Sequence, residues 1–250
     1  MLTRSLADVR LRDVGYEQTE WACSGHAESY RAPAGLPTAG RWTFEVRDHA
    51  EFTTRVLIRR PSDDGRFSGT VVVEWLNVSS GSDSAPVFGF SGPELTRAGH
   101  VWVGVSAQWA GIVAAPALVD VGASGLLALQ SADPLRYGGL VHPGDAYAYD
   151  VFTQVVDSLL DDRPEPLDDL DIQRVVAVGE SQSAYALVTY VNGVQPRSER
   201  FDGFLIHSRG RGALPLGDAG RGADVEGSRG DPPVRIRDDL DVPVLVLQTE

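Results

Sequence analysis

Short apolar runs separated by helical or turn-rich stretches dominate the chain from residue 70 onward. Residues 70–76, 101–105, 174–178, 201–206 and 243–247 are nearly continuous in apolar side chains. Such runs suit strands covered on both faces. Earlier, residues 41–47 alternate with period two, as a half-buried strand does, and 51–60 repeat the pattern weakly before Pro61. Helical signals fall between the later runs. Residues 93–98 read as the end of a helix stopped by Gly99. Residues 144–161 place Val151, Phe152, Val155, Val156, Leu159 and Leu160 on one face. Residues 184–191 read as a helix ended by Asn192 and Gly193. The order predicts an α/β fold, a mostly parallel sheet with helices on both faces and antiparallel strands at its N-terminal end. Two stretches interrupt it. Residues 108–142, apolar and broken by glycines, Pro116 and Pro134, read as an insertion or lid; 208–233, rich in Gly and Arg, read as a mobile loop. The whole of 1–250 is expected to be a single domain.

The junction of the strand at 174–178 with the following helix carries the candidate chemistry. It reads Gly-Glu-Ser-Gln-Ser at 179–183. This is the nucleophile-elbow pattern G-x-S-x-G, with Ser183 in place of the second Gly. The turn is sharp, and the positions two before and two after the nucleophile must be small so that strand and helix can approach. Gly179 meets that need fully, and Ser183 is small enough. Ser181 would then project at a helix N-terminus, where the dipole and the N–H of Gln182 favour an oxyanion. The alternative is that Ser181 only caps the helix, a role Ser favours. A second oxyanion donor is expected from the loop after the third strand of such a sheet. Residues 77–84, small and polar, follow the strand at 70–76, and Asn77 and Val78 are the candidate donors; the alternative there is an ordinary surface loop.

Composition narrows the choice of chemistry. The 22 basic side chains are all Arg, because the sequence has no Lys. That excludes a P-loop, a Schiff-base lysine and a Ser-Lys dyad. Thirty-five acidic residues leave a net charge of -13, which argues against nucleic acid as a partner. Cys23 is the single cysteine, so no intrachain disulfide and no multi-thiolate zinc site can form. Residues 1–12 lack the apolar core of a secretory signal, and no apolar run is long enough to span a bilayer. The expected location is the cytoplasm, with no membrane partner. The Asn77-Val78-Ser79 glycosylation sequon is then coincidental. The oligomeric state stays open.

Three stretches together resemble a little-characterised α/β-hydrolase-domain family of bacteria. They are Val-Val-Val-Glu-Trp-Leu-Asn-Val-Ser-Ser-Gly at 71–81, Gly-His-Val-Trp-Val-Gly-Val-Ser-Ala-Gln at 99–108, and the elbow at 179–183. The resemblance spans about residues 40–250, and Ser or Gly is common in that family at the position of Ser183. It implies an α/β-hydrolase fold and a serine hydrolase acting on an ester-like bond of a small molecule. No cofactor is expected, and the histidines are too scattered along the chain to suggest a metal site.

A triad in this fold runs Ser, then acid, then His. His207 is the one histidine after Ser181. It ends the strand at 201–206, but ahead of any acid, so it is read as a substrate-contacting residue. The acid normally follows the strand at 243–247, which makes Glu250 the candidate acid or its near neighbour. The catalytic histidine is expected beyond residue 250, in a C-terminal part that this chain lacks, and these residues alone are expected to be inactive. His26, His49, His100 and His142 read as surface or packing residues. The weak Gly210-Arg211-Gly212 echo of a dinucleotide loop lacks its helix. Cys23 and His26 are not placed on an elbow. Trp109, Ile112, Leu126, Leu127 and Leu129 would line an apolar pocket or simply pack as core. Two alternatives to ester hydrolysis share these residues: a non-catalytic binding module on the same scaffold, and acyl transfer to an acceptor other than water.

Overall fold

The computed structural model describes residues 10–113, 127–228 and 230–249. Seven strands form one sheet: β1 (Tyr16–Arg31), β2 (Glu45–Pro61), β3 (Thr70–Trp75), β4 (Val101–Val105), β5 (Arg174–Glu180), β6 (Gly203–His207) and β7 (Val244–Leu247). Their order across the sheet is β1-β2-β4-β3-β5-β6-β7. β1 pairs antiparallel with β2, and β2 antiparallel with β4; every later pairing is parallel. The expected mixed sheet, parallel beyond its N-terminal strands, is the one observed.

The runs that became β3, β4, β5 and β6 are inner strands because helices cover both sides, whereas the run at 243–247 became the edge strand β7, with Leu245, Val246 and Leu247 exposed. On one face α1 (Pro86–Arg97) packs Phe88 against Trp102, Leu57, Val72 and Leu76. On the other, α2 (Ala148–Asp157) and α3 (Gln182–Thr189) enclose Trp75, Tyr149, Phe152, Leu187 and Tyr190 with the odd-numbered valines of β3 and β4. Alternation along each strand sends successive side chains to opposite layers. Glu74 therefore faces α1 from within β3. It is fully buried there and accepts the N–H groups of Val87 and Phe88 at 2.8 and 2.9 Å and the Trp102 indole N–H at 2.8 Å. A strand carboxylate thus caps α1, whose own N-cap residue, Ala85, offers no side-chain bond.

Three features differ from the sequence pattern or extend it. β1 has no counterpart in the apolar runs, because most of its side chains stay polar and partly exposed along a long two-stranded ribbon with β2. Residues 41–44 precede the strand rather than belong to it, yet Trp42 and Phe44 are buried in the main core. The stretch 208–228 is fastened to the body by main-chain bonds. Leu214 N–H reaches Tyr185 O at 3.0 Å, Asp145 N–H reaches Arg221 O at 2.9 Å, and Gly220 N–H reaches Pro143 O at 2.8 Å. The expected insertion at 108–142 falls partly outside the described residues, as do Leu126 and Glu250. Among the described residues, no helix is long and apolar enough to cross a membrane.

Candidate active site

The turn between β5 and α3 holds Ser181 in an unusual backbone conformation, φ 55° and ψ -115°. A positive φ is unfavourable for any residue with a Cβ. The surrounding bonds enforce it. Ser181 N–H donates to His207 O at 2.9 Å, and Ser181 O accepts from Tyr185 N–H at 3.2 Å. Ser183, fully buried, accepts Glu180 N–H on its Oγ at 2.9 Å and donates the same hydroxyl to Glu180 O at 2.9 Å. The residue that departs from the G-x-S-x-G pattern therefore clamps the turn. Gly179 leaves room for the helix: a Cβ there would lie 3.0 Å from Leu187 Cδ1 and 3.0 Å from the Ser183 carbonyl. The Ser181 side chain is exposed and makes no capping hydrogen bond. The helix-cap alternative has no bond to support it.

The loop 77–84 lies against this turn. Asn77 donates its side-chain amide to Glu180 O at 2.9 Å and exchanges both backbone bonds with Ser84 at 2.9 Å. Its Oδ1 accepts Ser79 N–H at 2.9 Å. The Asn77 backbone N–H and one of its two amide N–H groups are thus tied to the protein, and the residue joins loop to elbow. Val78 N–H instead faces Gln182 Oε1 at 3.4 Å, a long contact that a stronger acceptor can displace. The Gln182 side chain is itself positioned from behind. Its Nε2 donates to Gln108 Oε1 at 2.8 Å, which also takes the Trp75 indole N–H at 3.0 Å. Gln108 Nε2 in turn approaches Asp145 Oδ2 at 3.3 Å.

The far end of the loop is anchored by charge. Asp83 Oδ2 accepts Arg55 Nη2 at 2.8 Å and the Ser106 hydroxyl. Both charged side chains are only 2% exposed. Sequence reasoning passed over Arg55, Asp83, Gln108 and Asp145. An Arg inside a strand pattern and an Asp inside a polar loop carry no periodicity that would pair them.

None of the five histidine rings hydrogen-bonds the Ser181 hydroxyl; His207 meets Ser181 only through its main-chain oxygen. His207 lies nearest in the sheet, in register with Glu180 at the end of β6, and its ring meets Phe90 edge-on at 6.0 Å. Glu180 is half-buried on the same face, and burial pushes its carboxyl above the usual range. His142 is buried, which pushes its pKa down; its Nε2 donates to Ala107 O at 2.9 Å while Nδ1 accepts Gly144 N–H at 3.1 Å. His100 Nδ1 meets Ser68 Oγ at 2.6 Å. His26 and His49 are exposed, beside Glu51 and Glu28. Thr249 Oγ1 meets Ser208 Oγ at 2.8 Å, so the exit of β7 is joined to that of β6. Among the described residues, no group of three or more His, Cys, Asp or Glu is placed to hold a metal ion.

Among solved structures, the chain is similar to a carbohydrate esterase family 15 glucuronoyl esterase from Caldicellulosiruptor kristjansonii, at 13% identity and a TM-score of 0.39, covering 80% of this chain and 45% of that one. A cold-adapted esterase from an Arctic intertidal metagenomic library matches at 11% identity and a TM-score of 0.42, covering 77% and 61%. An acetyl xylan esterase from Paenibacillus sp. R4 matches at 15% and a TM-score of 0.36, covering 74% and 52%. The chain thus spans less than two thirds of the length of each. No curated protein matches the sequence. The profile of the alpha/beta hydrolase domain family matches residues 2–250, and with that extent of match the chain belongs to this family.

Proposed function

We propose that the protein is a serine hydrolase that cleaves a carboxylic ester of a small molecule through an acyl-enzyme on Ser181. The observation that carries the reading is Ser181 itself: exposed, with no hydrogen bond at its hydroxyl among the described residues, and held at positive φ where a strand meets a helix. Strain of that kind persists only where surrounding bonds over-determine it, and it concentrates at functional sites. In the proposed reaction Ser181 Oγ attacks the ester carbonyl carbon as a base removes its proton. The carbonyl oxygen becomes an oxyanion, held by the N–H groups of Val78 and Gln182. Collapse expels the alcohol, and water then releases the acid from Ser181. Asn77 serves as the staple that fixes loop to elbow, His207 contacts substrate beside Phe90, and Glu250 is the triad acid. The domain is proposed to be single and cytoplasmic.

Fluorophosphonate labelling of the full-length protein and of its Ser181→Ala variant tests the nucleophile. The parent is expected to label at Ser181 and the variant to be blank. Equal labelling of the two removes Ser181 from the role, and a parent that labels nowhere favours a binding module.

A further inference from the structure

A pocket of about 650 Å³ is ringed by three arginines, Arg209, Arg211 and Arg235, with Thr38 and Val234 between them. In a chain of net charge -13, arginines commonly meet carboxylates. The neighbours Arg41 and Arg237 do so, with Asp238 and Asp239, both at 2.7 Å. Among the described residues, the three around the pocket do not. Arg209 donates only to carbonyl oxygens, those of Gly210, Arg211 and Val234. Arg211 reaches the main-chain oxygen of Asp231 at 3.2 Å, and the Asp231 carboxylate forms no ion pair with it. Arg235 is exposed, and among the described residues its guanidinium has no partner. Burial pushes the pKa of half-buried Arg209 down. A cation desolvated without a counter-ion is costly, and a bound anion would offset that cost.

The pocket continues into an apolar hollow of about 270 Å³. The two share Thr38 and Val234, and the hollow adds Leu36, Trp42 and Leu216. A ligand that fills both has an apolar body and a charged end.

The same segment reaches the nucleophile. Arg209 is two residues, at most about 7 Å of extended chain, beyond His207, whose carbonyl holds Ser181 N–H. Gly210 lies against Tyr185, one helical turn after Ser181: a Cβ at Gly210 would sit 2.6 Å from the Tyr185 hydroxyl oxygen. Leu214 N–H bonds Tyr185 O.

We propose that Arg209, Arg211 and Arg235 bind an oxyanionic end, carboxylate or phosphate, of an amphipathic ester whose carbonyl meets Ser181 and whose apolar body lies along Trp42. The substrate class is therefore an anionic ester, a step that rests on the reading of Ser181 as nucleophile.

The intact chain tests it with nitrophenyl hemiesters of straight-chain dicarboxylic acids, set against neutral nitrophenyl esters of matched length. The hemiester of best length is expected to exceed its neutral match in kcat/KM by about tenfold, with the advantage shrinking as salt rises. Arg211→Ala and Arg235→Ala are each expected to reduce that ratio by about threefold. Arg209 is spared because its carbonyl bonds hold the loop. Equal turnover of the two classes, or an unchanged ratio in both variants, overturns the anion site and leaves Ser181 untouched. If neither ester turns over and Ser181 does not label, the hydrolase reading fails by itself. Calorimetric titration with octanoate and octyl phosphate then decides the site. Binding that Arg235→Ala weakens supports it and identifies the preferred anion, while heat-silent titrations of both overturn it.

Discussion

At residue scale the active-site proposal turns on one backbone angle. Ser181 at φ 55° carries a Cβ where Gly is the undemanding choice. This makes a prediction that separates strain from chemistry. Ser181→Ala and Ser181→Gly both delete the hydroxyl, but only the second also relieves the Cβ. Gly normally costs stability through the freedom it adds to the unfolded chain. Here the relieved strain is expected to outweigh that cost, leaving Ser181→Gly more stable than Ser181→Ala by about 1 kcal/mol. Urea unfolding of the two variants measures the difference, and a Gly variant weaker than the Ala variant contradicts a strained elbow. Gly179 works in the opposite sense. Its missing Cβ is what lets Leu187 and the Ser183 carbonyl approach to van der Waals contact, so Gly179→Ala must push α3 away from β5. A loss of about 1–3 kcal/mol is expected, with labelling at Ser181 falling in parallel.

At the scale of elements the informative group is Glu74, which joins three of them. Burial pushes its carboxyl from 4.5 up to about 7, against the pull of the Phe88 and Val87 N–H groups, the Trp102 indole and Arg59. Arg59 lies over the rings of Phe88 and Trp102, 4.0 and 4.6 Å from their centroids. Because the pKa is raised on folding, the folded protein keeps a proton that the unfolded chain has released between those two values. Stability from this group therefore falls as pH rises from 4.5 to about 7 and is level above. The full effect is at most about 3 kcal/mol. Glu74→Gln removes that pH dependence and sets an amide N–H against a donor, so it is expected to lower stability by about 1–3 kcal/mol. Urea midpoints of parent and variant across this pH range measure both effects, and parallel profiles exclude the titration. The same elements show how far the sequence could be read. β3, β4 and β5 were legible because burial on both faces makes a strand apolar throughout. The elbow was legible because its spacing is local. β1 was not, since a ribbon strand with exposed polar side chains has no distinctive period. Glu74 inside an apolar run gave no hint of capping a helix that begins twelve residues later, and the pairing of Arg55 with Asp83 spans a distance that patterns do not encode.

At the scale of the molecule, the segment after β6 starts at the carboxyl edge of the sheet, where Ser181 N–H bonds His207 O, and supplies Arg209 and Arg211 to the arginine pocket. What fastens it is Asp145, at the entrance to α2. Its carboxylate accepts Trp109 N–H at 2.7 Å and Ala223 N–H at 2.7 Å, and Gln108 adds a longer bond from the network behind Gln182. One buried side chain therefore joins the stretch after β4, the segment 208–228 and the support of the oxyanion loop. The absence of Lys makes this measurable. Trypsin can cut this chain only after Arg, and the segment presents Arg209, Arg211 and Arg221. Cleavage requires the backbone to leave its bonds and extend into the protease, so bonded segments resist in proportion to the free energy of local opening. In the parent, Arg221 O is held by Asp145 N–H and Ala223 N–H by the Asp145 carboxylate, so this stretch is expected to resist brief digestion. Asp145→Ala frees two main-chain donors at once, and each charged hydrogen bond lost is worth about 1.5–3 kcal/mol. The first new cut is expected after Arg221, at a rate raised by at least about tenfold, before any cut after Arg174 in β5. Mass spectrometry of the fragments reads the order directly. If the parent is cut after Arg221 as fast as the variant, the segment is not held by Asp145, and the pocket walls it supplies are not preformed.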